Sequence, residues 1–243
     1  MSLKSKGSCL IFANTEDVTE QQFALQQISS FKQGVSQIKS VLSLNKIEEH
    51  FAASAATLTL PGAHFTSVRI GISLYGFWPS TETRISAHSI LTELPALHPV
   101  LAWKCRSQIV KFLKKGSFVG YGCTYRCERD TWVATFPVGY FDGYPRLVSG
   151  KAHVLIQGRR CPVLGRVMMN HIVVDVTYAI DPQPEGSMEF NGGQPLIATL
   201  IGTDIGPQGE EVISAETLAS WAGTIHYEIV TRLGSHLKRI PVA

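Results

Sequence analysis

The sequence lacks the usual marks of a secreted, membrane-spanning or nucleic-acid-binding protein. Its 243 residues include 5 cysteines, an odd number without CxxC spacing, which argues against a disulfide framework. Cys123 and Cys127 are four apart, but no nearby His or further Cys completes a ligand set, so no metal site is expected and all five cysteines read as thiols. No stretch approaches the roughly 18 consecutive apolar residues of a membrane span, and no apolar run follows the lysines of the opening MSLKSKG. A cytoplasmic protein with no membrane contact is expected. Excess charge is small: 22 Lys+Arg against 19 Asp+Glu leave +3. The densest basic stretch, Lys104 to Lys115, alternates like a strand and reads as a solvated face, so no nucleic-acid partner is expected.

What is present is ordinary globular composition, with 44% hydrophobic and 17% charged residues, 21 Gly and 12 Pro. In residues 17–43, Phe23, Ile28, Phe31, Val35, Ile38 and Leu42 recur at near-helical spacing, with Thr19 and Gln22 placed as a capping box. Short apolar runs flank this helix: Cys9 to Ala13 before it, Ile47 to Ala53 and Val68 to Leu74 after it. They predict βα units with a buried parallel sheet. The Pro- and Ser/Thr-bearing stretch from Pro79 to Pro99 marks a boundary. Beyond it come short β-type runs at Thr131 to Phe136, His153 to Gln157, Cys161 to Leu164, Ile172 to Val176 and Pro195 to Ile201. One helix interrupts them, with Ser214 as N-cap, Leu218 and Trp221 on its apolar side and Gly223 as its stop. The domains expected are 1–93 and 94–243.

Four places have chemical potential. Arg69-Ile70-Gly71-Ile72 follows a strand-like run where a backbone N–H can approach an anion, with Ser54 adding a hydroxyl, although a glycine packed at a strand end explains the same residues. Tyr121 and Tyr140 stand between glycines, either exposed for proton exchange or bonded at hairpin corners. Met168-Met169-Asn170-His171 leads into an apolar run; the methionine pair reads as core filler and His171 as a hydrogen-bonded structural residue, since no second ligand stands at metal-binding spacing. Tyr227-Glu228 follows the helix that stops at Gly223 and says nothing alone.

Together, HFAASAATLTLP, VRIGISLYG, VGYGCTYR, PVGYFDGYPR, VLGRVMMN and GTIHYEIVTRL resemble alanine racemase, a fold-type III family using pyridoxal 5′-phosphate, from about Gly7 to Arg239. The resemblance implies α/β followed by β: the last strands and helices of a (β/α)8 barrel, about strands six to eight, then a mostly β C-terminal domain. It implies a cofactor phosphate site of Ser54, Gly71, Ile72 and Tyr227, with Arg69 facing the pyridine nitrogen. It further implies that Tyr121 is the catalytic tyrosine on the L-alanine side, that Tyr140 and Met169 line the substrate gate, and that Arg146 supports the network around the base. Alanine as substrate and a homodimer, with each active site shared between subunits, follow from the same resemblance.

The departures bear on activity. The family's lysine motif of the type VVKANAYGHG does not occur in these 243 residues, and no lysine here is assigned that role. The family's carboxylate-binding arginine from the preceding barrel region is likewise unmatched. Ile11 stands where the family usually has a histidine behind the cofactor ring, Ala53 where an Asn often precedes the serine, and Asn170 where Asp often follows the methionine. The resemblance therefore implies either a racemase segment completed by an N-terminal half or a non-catalytic remnant; a β-rich interaction module is the reading from another class. A partial barrel exposes unpaired strand edges, so self-association is expected. Sedimentation of the purified chain checks this, and a monodisperse monomer would contradict it.

Overall fold

The computed structural model describes residues 7–13, 15, 21–180, 194–207 and 209–242, which divide into two compact units, Met1–Val100 and Leu101–Ala243. In the first unit, β1 (Gly7–Cys9) leads to α1 (Gln22–Val41), which buries Ala24, Ile28, Phe31 and Val35. The buried stripe is narrower than the sequence suggests, because Phe23 is 47% exposed and Leu42 caps the helix. Five residues separate Phe23 from Ile28, a rotation of about 140° at 3.6 residues per turn, which carries Phe23 off the buried face. Gln21 occupies the N-cap without a side-chain bond, and Thr19 of the expected capping box lies outside the described residues.

β2 (Glu48–His50) pairs with β1 in parallel, Gly7 opposite Glu48 and Cys9 opposite His50. Phe31 and Phe51 stack at 4.9 Å, and Phe12 closes on Phe51 at 3.8 Å, so aromatic packing ties the helix to the ends of the strands. α2 (Ser54–Thr59) follows directly.

Two of the sequence expectations fail in this unit. The run Val68 to Leu74 is not a strand: a single parallel bridge joins Ser67 to His50, and Ile72–Tyr75 then forms one 3-10 turn ended by Gly76 at φ 80°. Apolar composition alone cannot distinguish a strand from a tight turn packed against a core. The sheet is also not buried, since both strands are exposed or half-buried and, apart from the Ser67 bridge, pair with each other among the described residues. α3 (Thr81–Ile90) closes the unit, its Ser80 hydroxyl accepting from Thr83 N at 3.1 Å.

The second unit is antiparallel. Its strands are β3 (Trp103–Arg106), β4 (Ile109–Leu113), β5 (Phe118–Val119), β6 (Tyr125–Arg126), β7 (Thr131–Phe136), β8 (His153–Ile156), β9 (Arg159–Leu164), β10 (Ile172–Asp175), β11 (Ile197–Gly206) and β12 (Gly209–Ile213). The main sheet runs β12-β11-β8-β9-β10-β7-β4 with β3 also on β11, while β5 and β6 form a separate hairpin. Within Lys104–Lys115, Lys104, Arg106, Lys111, Lys114 and Lys115 are all exposed. α4 (Ala215–Ala222) starts at Ser214, whose hydroxyl accepts from Thr217 N at 3.1 Å, and stops at Gly223 with φ 69°. It buries Ala215, Leu218, Ala219 and Ala222, after which α5 (His226–Thr231) buries His226, Ile229 and Val230.

Leu218 is fully buried. Leu218→Ala is expected to cost about 2–5 kcal/mol and Ser214→Ala about 1 kcal/mol in denaturant unfolding, reflecting a cavity and a lost cap respectively.

Candidate active site

In the first unit, the chain after β2 and the turn after Ser67 bring Ser54, Arg69, Gly71 and Ile72 together. Ser54, 5% exposed at the start of α2, accepts from Gly71 N at 2.9 Å and Ser73 N at 3.4 Å. A hydroxyl that accepts twice still has its own hydrogen to donate. The Gly71 N–H is directed at Ser54, so the hydroxyl stands between that amide and anything bound above it. A side chain at Gly71 would meet only Ser54 Oγ within 4 Å, at 4.0 Å, which leaves an open cradle there. The Ser73 hydroxyl is buried with no hydrogen-bond partner among the described residues. With the Ile72 N–H, the Ser54 and Ser73 hydroxyls make a donor set that suits a phosphate, the Ser73 and Leu74 N–H groups being bonded to Ser54 Oγ and Gly71 O.

Arg69 is fixed by carbonyls at the C-terminal ends of both strands: Nη1 donates to His50 O at 2.8 Å and Nη2 to Leu10 O at 2.6 Å. The half-buried guanidinium is thereby oriented without any carboxylate partner among the described residues. Ile11, next along the chain, is 69% exposed.

In the second unit, Tyr121, Tyr140, Arg146 and Met169 line one depression of about 410 Å³ together with Arg166 and His171. Tyr121 is 71% exposed on a 3-10 turn between Gly120 and Gly122, and Tyr140 is 47% exposed. Neither phenol has a hydrogen-bond partner among the described residues, so the hairpin-corner alternative does not apply to them. It does not fit Tyr144 either: that phenol is fully buried and unpartnered among the described residues, and burial pushes its pKa up. Met169 is 54% exposed, so it is not core filler.

Sequence reasoning passed over Arg166. A side chain at Gly122 would meet its guanidinium at 3.4 Å, which places Arg166 beside the Tyr121 turn. The signal was its position in Gly165-Arg166-Val167-Met168, adjoining the methionines. His171 bonds Asn170 Oδ1 and Gln108 Oε1, both at 2.9 Å, as expected for a structural histidine. With Arg146 and Arg166 on its rim, the depression suits a carboxylate. Tyr227 lies half-buried on α5 and is not part of this lining. A larger cavity of about 470 Å³ elsewhere in the unit contains the Arg129–Asp175 and Arg160–Glu211 pairs, whose charges already answer one another.

Residues 1–79 match the family described as alanine racemase, N-terminal domain, and residues 100–241 match alanine racemase, C-terminal domain. The chain belongs to the alanine racemase family. Its fold is that family's N-terminal barrel domain plus β-rich C-terminal domain. An alanine racemase of Leptospira interrogans is 39% identical over 236 residues, covering 97% of this chain and 57% of that protein. The crystal structure of alanine racemase from Bacillus anthracis with bound L-Ala-P is similar at TM-score 0.74 and 33% identity, over 94% of this chain and 53% of that one. The alanine racemase of Bartonella henselae, solved with covalently bound pyridoxal phosphate, gives TM-score 0.69 and 27% identity over 97% and 56%. The chain therefore spans a little over half the length of these relatives.

Cys123, two residues from Tyr121, is exposed, as is Cys9 in the first unit. Burial raises the Cys105 thiol to about 11, with the Asp142 charge adding to the shift, and raises Cys161 to about 12. The thiolate is the nucleophile, so at pH 8 a thiol of pKa 11 is ionised in only about one molecule in a thousand. In a native thiol titration at pH 8, Cys9 and Cys123 are expected to react first. Cys105 and Cys161 should accelerate about tenfold per pH unit up to their pKa values.

Proposed function

We propose that the chain carries the phosphate-binding, tyrosine-base and substrate-gate part of an alanine racemase that interconverts L- and D-alanine, acting in a cytoplasmic homodimer that supplies D-alanine for peptidoglycan. The observation that carries this reading is the convergence of Tyr121, Tyr140, Arg146 and Met169, scattered along the sequence, on one depression. Support also comes from the first unit, where the open cradle above Gly71 and the orphaned Ser73 hydroxyl fit a phosphate-bearing cofactor.

Bound pyridoxal phosphate supplies the electron sink that acidifies the alanine α-carbon. Within the first unit, the Ser54 hydroxyl and the Ile72 N–H would hold the phosphate, with Gly71 leaving room for its approach and orienting Ser54. Arg69 would face the pyridine nitrogen; a guanidinium is always protonated and accepts no proton, so it would leave that nitrogen unprotonated and the sink weak. A weak sink favours prompt return of the proton over side reactions such as transamination. Tyr121 moves the proton at the α-carbon on the L-alanine side. Tyr140 and Met169 border the route to it and contact the substrate carboxylate, and Arg146 adds positive charge at the same rim.

On this reading the first unit corresponds to about strands six to eight of the barrel, and the lysine that bonds the cofactor is assigned to no residue of this chain. The exposed Ile11, in place of a ring-stacking histidine, favours the second reading, a family member that retains the fold without turnover.

Two variants test the proposal. Ser54→Ala is expected to weaken pyridoxal phosphate binding about 10- to 100-fold, as for a lost hydrogen bond to a charged group, while leaving binding of phosphate-free pyridoxal unchanged. Tyr121→Phe is expected to lower L-to-D racemisation about 10²-fold or more without altering cofactor affinity. Equal effects of Ser54→Ala on both ligands would refute the cradle, and binding without turnover even with a complementing N-terminal racemase half supplied would establish the second reading.

A further inference from the structure

We propose that Asp142 and His236 form a positioning pair that fixes the segment carrying Tyr140 and so sets the geometry of the substrate gate; this rests on the reading of Tyr140 given above. Asp142 is 8% exposed and uses both carboxylate oxygens: Oδ2 accepts from Gly139 N at 2.8 Å, and Oδ1 meets His236 Nε2 at 2.8 Å. The first bond alone would complete a local turn, which is the ordinary use of an aspartate here. The second ties that turn to a residue 94 positions away. Burying a carboxylate is costly unless it is well bonded, so both contacts are needed to hold it there.

The surrounding contacts extend the same clamp. Gly234 N donates to Asp142 O at 3.0 Å, and the Phe141 ring lies 4.9 Å from the His236 ring. Arg239 secures the C-terminal turn through the carbonyls of Gly234 at 2.6 Å and Leu237 at 2.7 Å. Gly143 has φ 101°, and a side chain on it would stand 2.4 Å from Arg232 O, so the loop passes against the C-terminal segment with no room to spare. On its opposite edge, Tyr140 N and Phe141 N donate to Met168 O at 3.1 Å and Met169 O at 2.9 Å. The exposed Tyr140 side chain has no hydrogen bond among the described residues, so its place beside Met169 is set by this two-sided grip on its backbone.

The test compares His236→Phe, which keeps an aromatic ring but removes the bond, with His236→Gln, which keeps an N–H donor, both in the full chain with pyridoxal phosphate. His236→Phe is expected to speed amide hydrogen exchange at Tyr140 and Phe141 at least tenfold, with β7 and β10 amides unchanged and His236→Gln close to the unsubstituted chain. It is also expected to raise KM for alanine several-fold with kcat within about twofold, and to have no effect on KM in a Tyr140→Phe background. Unchanged exchange at Tyr140, or an equal KM effect in both backgrounds, would overturn the proposal. Faster exchange together with a KM, measured with a complementing N-terminal racemase half present, that is insensitive to Tyr140→Phe would refute the gate reading while upholding the clamp.

Discussion

The antiparallel register of β7 on β10 is the constraint from which the second unit's depression follows. Ile172 lies opposite Phe136 and Asp175 opposite Val133. Past the strand ends the two chains leave the ladder through turns but stay in contact, Tyr140 N donating to Met168 O and Phe141 N to Met169 O. A side chain at Gly139 would stand 2.2 Å from Met168 O, so glycine is what permits the approach. A one-residue slip would turn every side chain of one strand to the other face and separate Tyr140 from Met169.

The first unit follows a different logic. Its parallel strands are short and half-exposed, and aromatic packing of Phe12, Phe31 and Phe51 stands in for a covered sheet. What matters for chemistry is the strand ends: Leu10 O and His50 O orient Arg69, and the turn from Gly71 folds back on Ser54. Both units thus present their candidate residues from backbone positions just beyond regular structure, where carbonyls and amides remain free to orient a side chain.

Electrostatics separates the residues further. Tyr121, Tyr140 and Tyr144 share a glycine-rich context, yet burial makes Tyr144 a core residue with a raised pKa while the other two face solvent. Arg146 and Arg166 line the depression beside the exposed tyrosines, whereas the guanidinium groups of Arg129 and Arg160 in the larger cavity are paired with Asp175 and Glu211. With Arg146 and Arg166 forming no ion pair among the described residues, the smaller depression suits a carboxylate.

Much of this was legible locally. Ser214 and Gly223 bound α4 because capping is a matter of neighbouring residues, and runs such as Thr131 to Phe136 form strands because their β-branched and aromatic side chains fit a pleated, buried surface. The motif order likewise pointed to the alanine racemase family and to Ser54, Arg69, Tyr121 and Tyr140. Other features depended on distant chain. Val68 to Leu74 turns into a 3-10 segment against Ser54, Phe23 rotates off a face that only packing defines, and Arg166 comes to lie beside the Tyr121 turn. The pairing of Asp142 with His236 spans 94 residues, and no local pattern encodes it. Element identity and family were determined by sequence, because caps and periodicity act over a few residues. The bonds around Ser54, the depression lined by Tyr121 and Tyr140, and the Asp142–His236 contact were decided by tertiary structure, because hydrogen bonds and close contacts across the fold depend on where distant backbone lies.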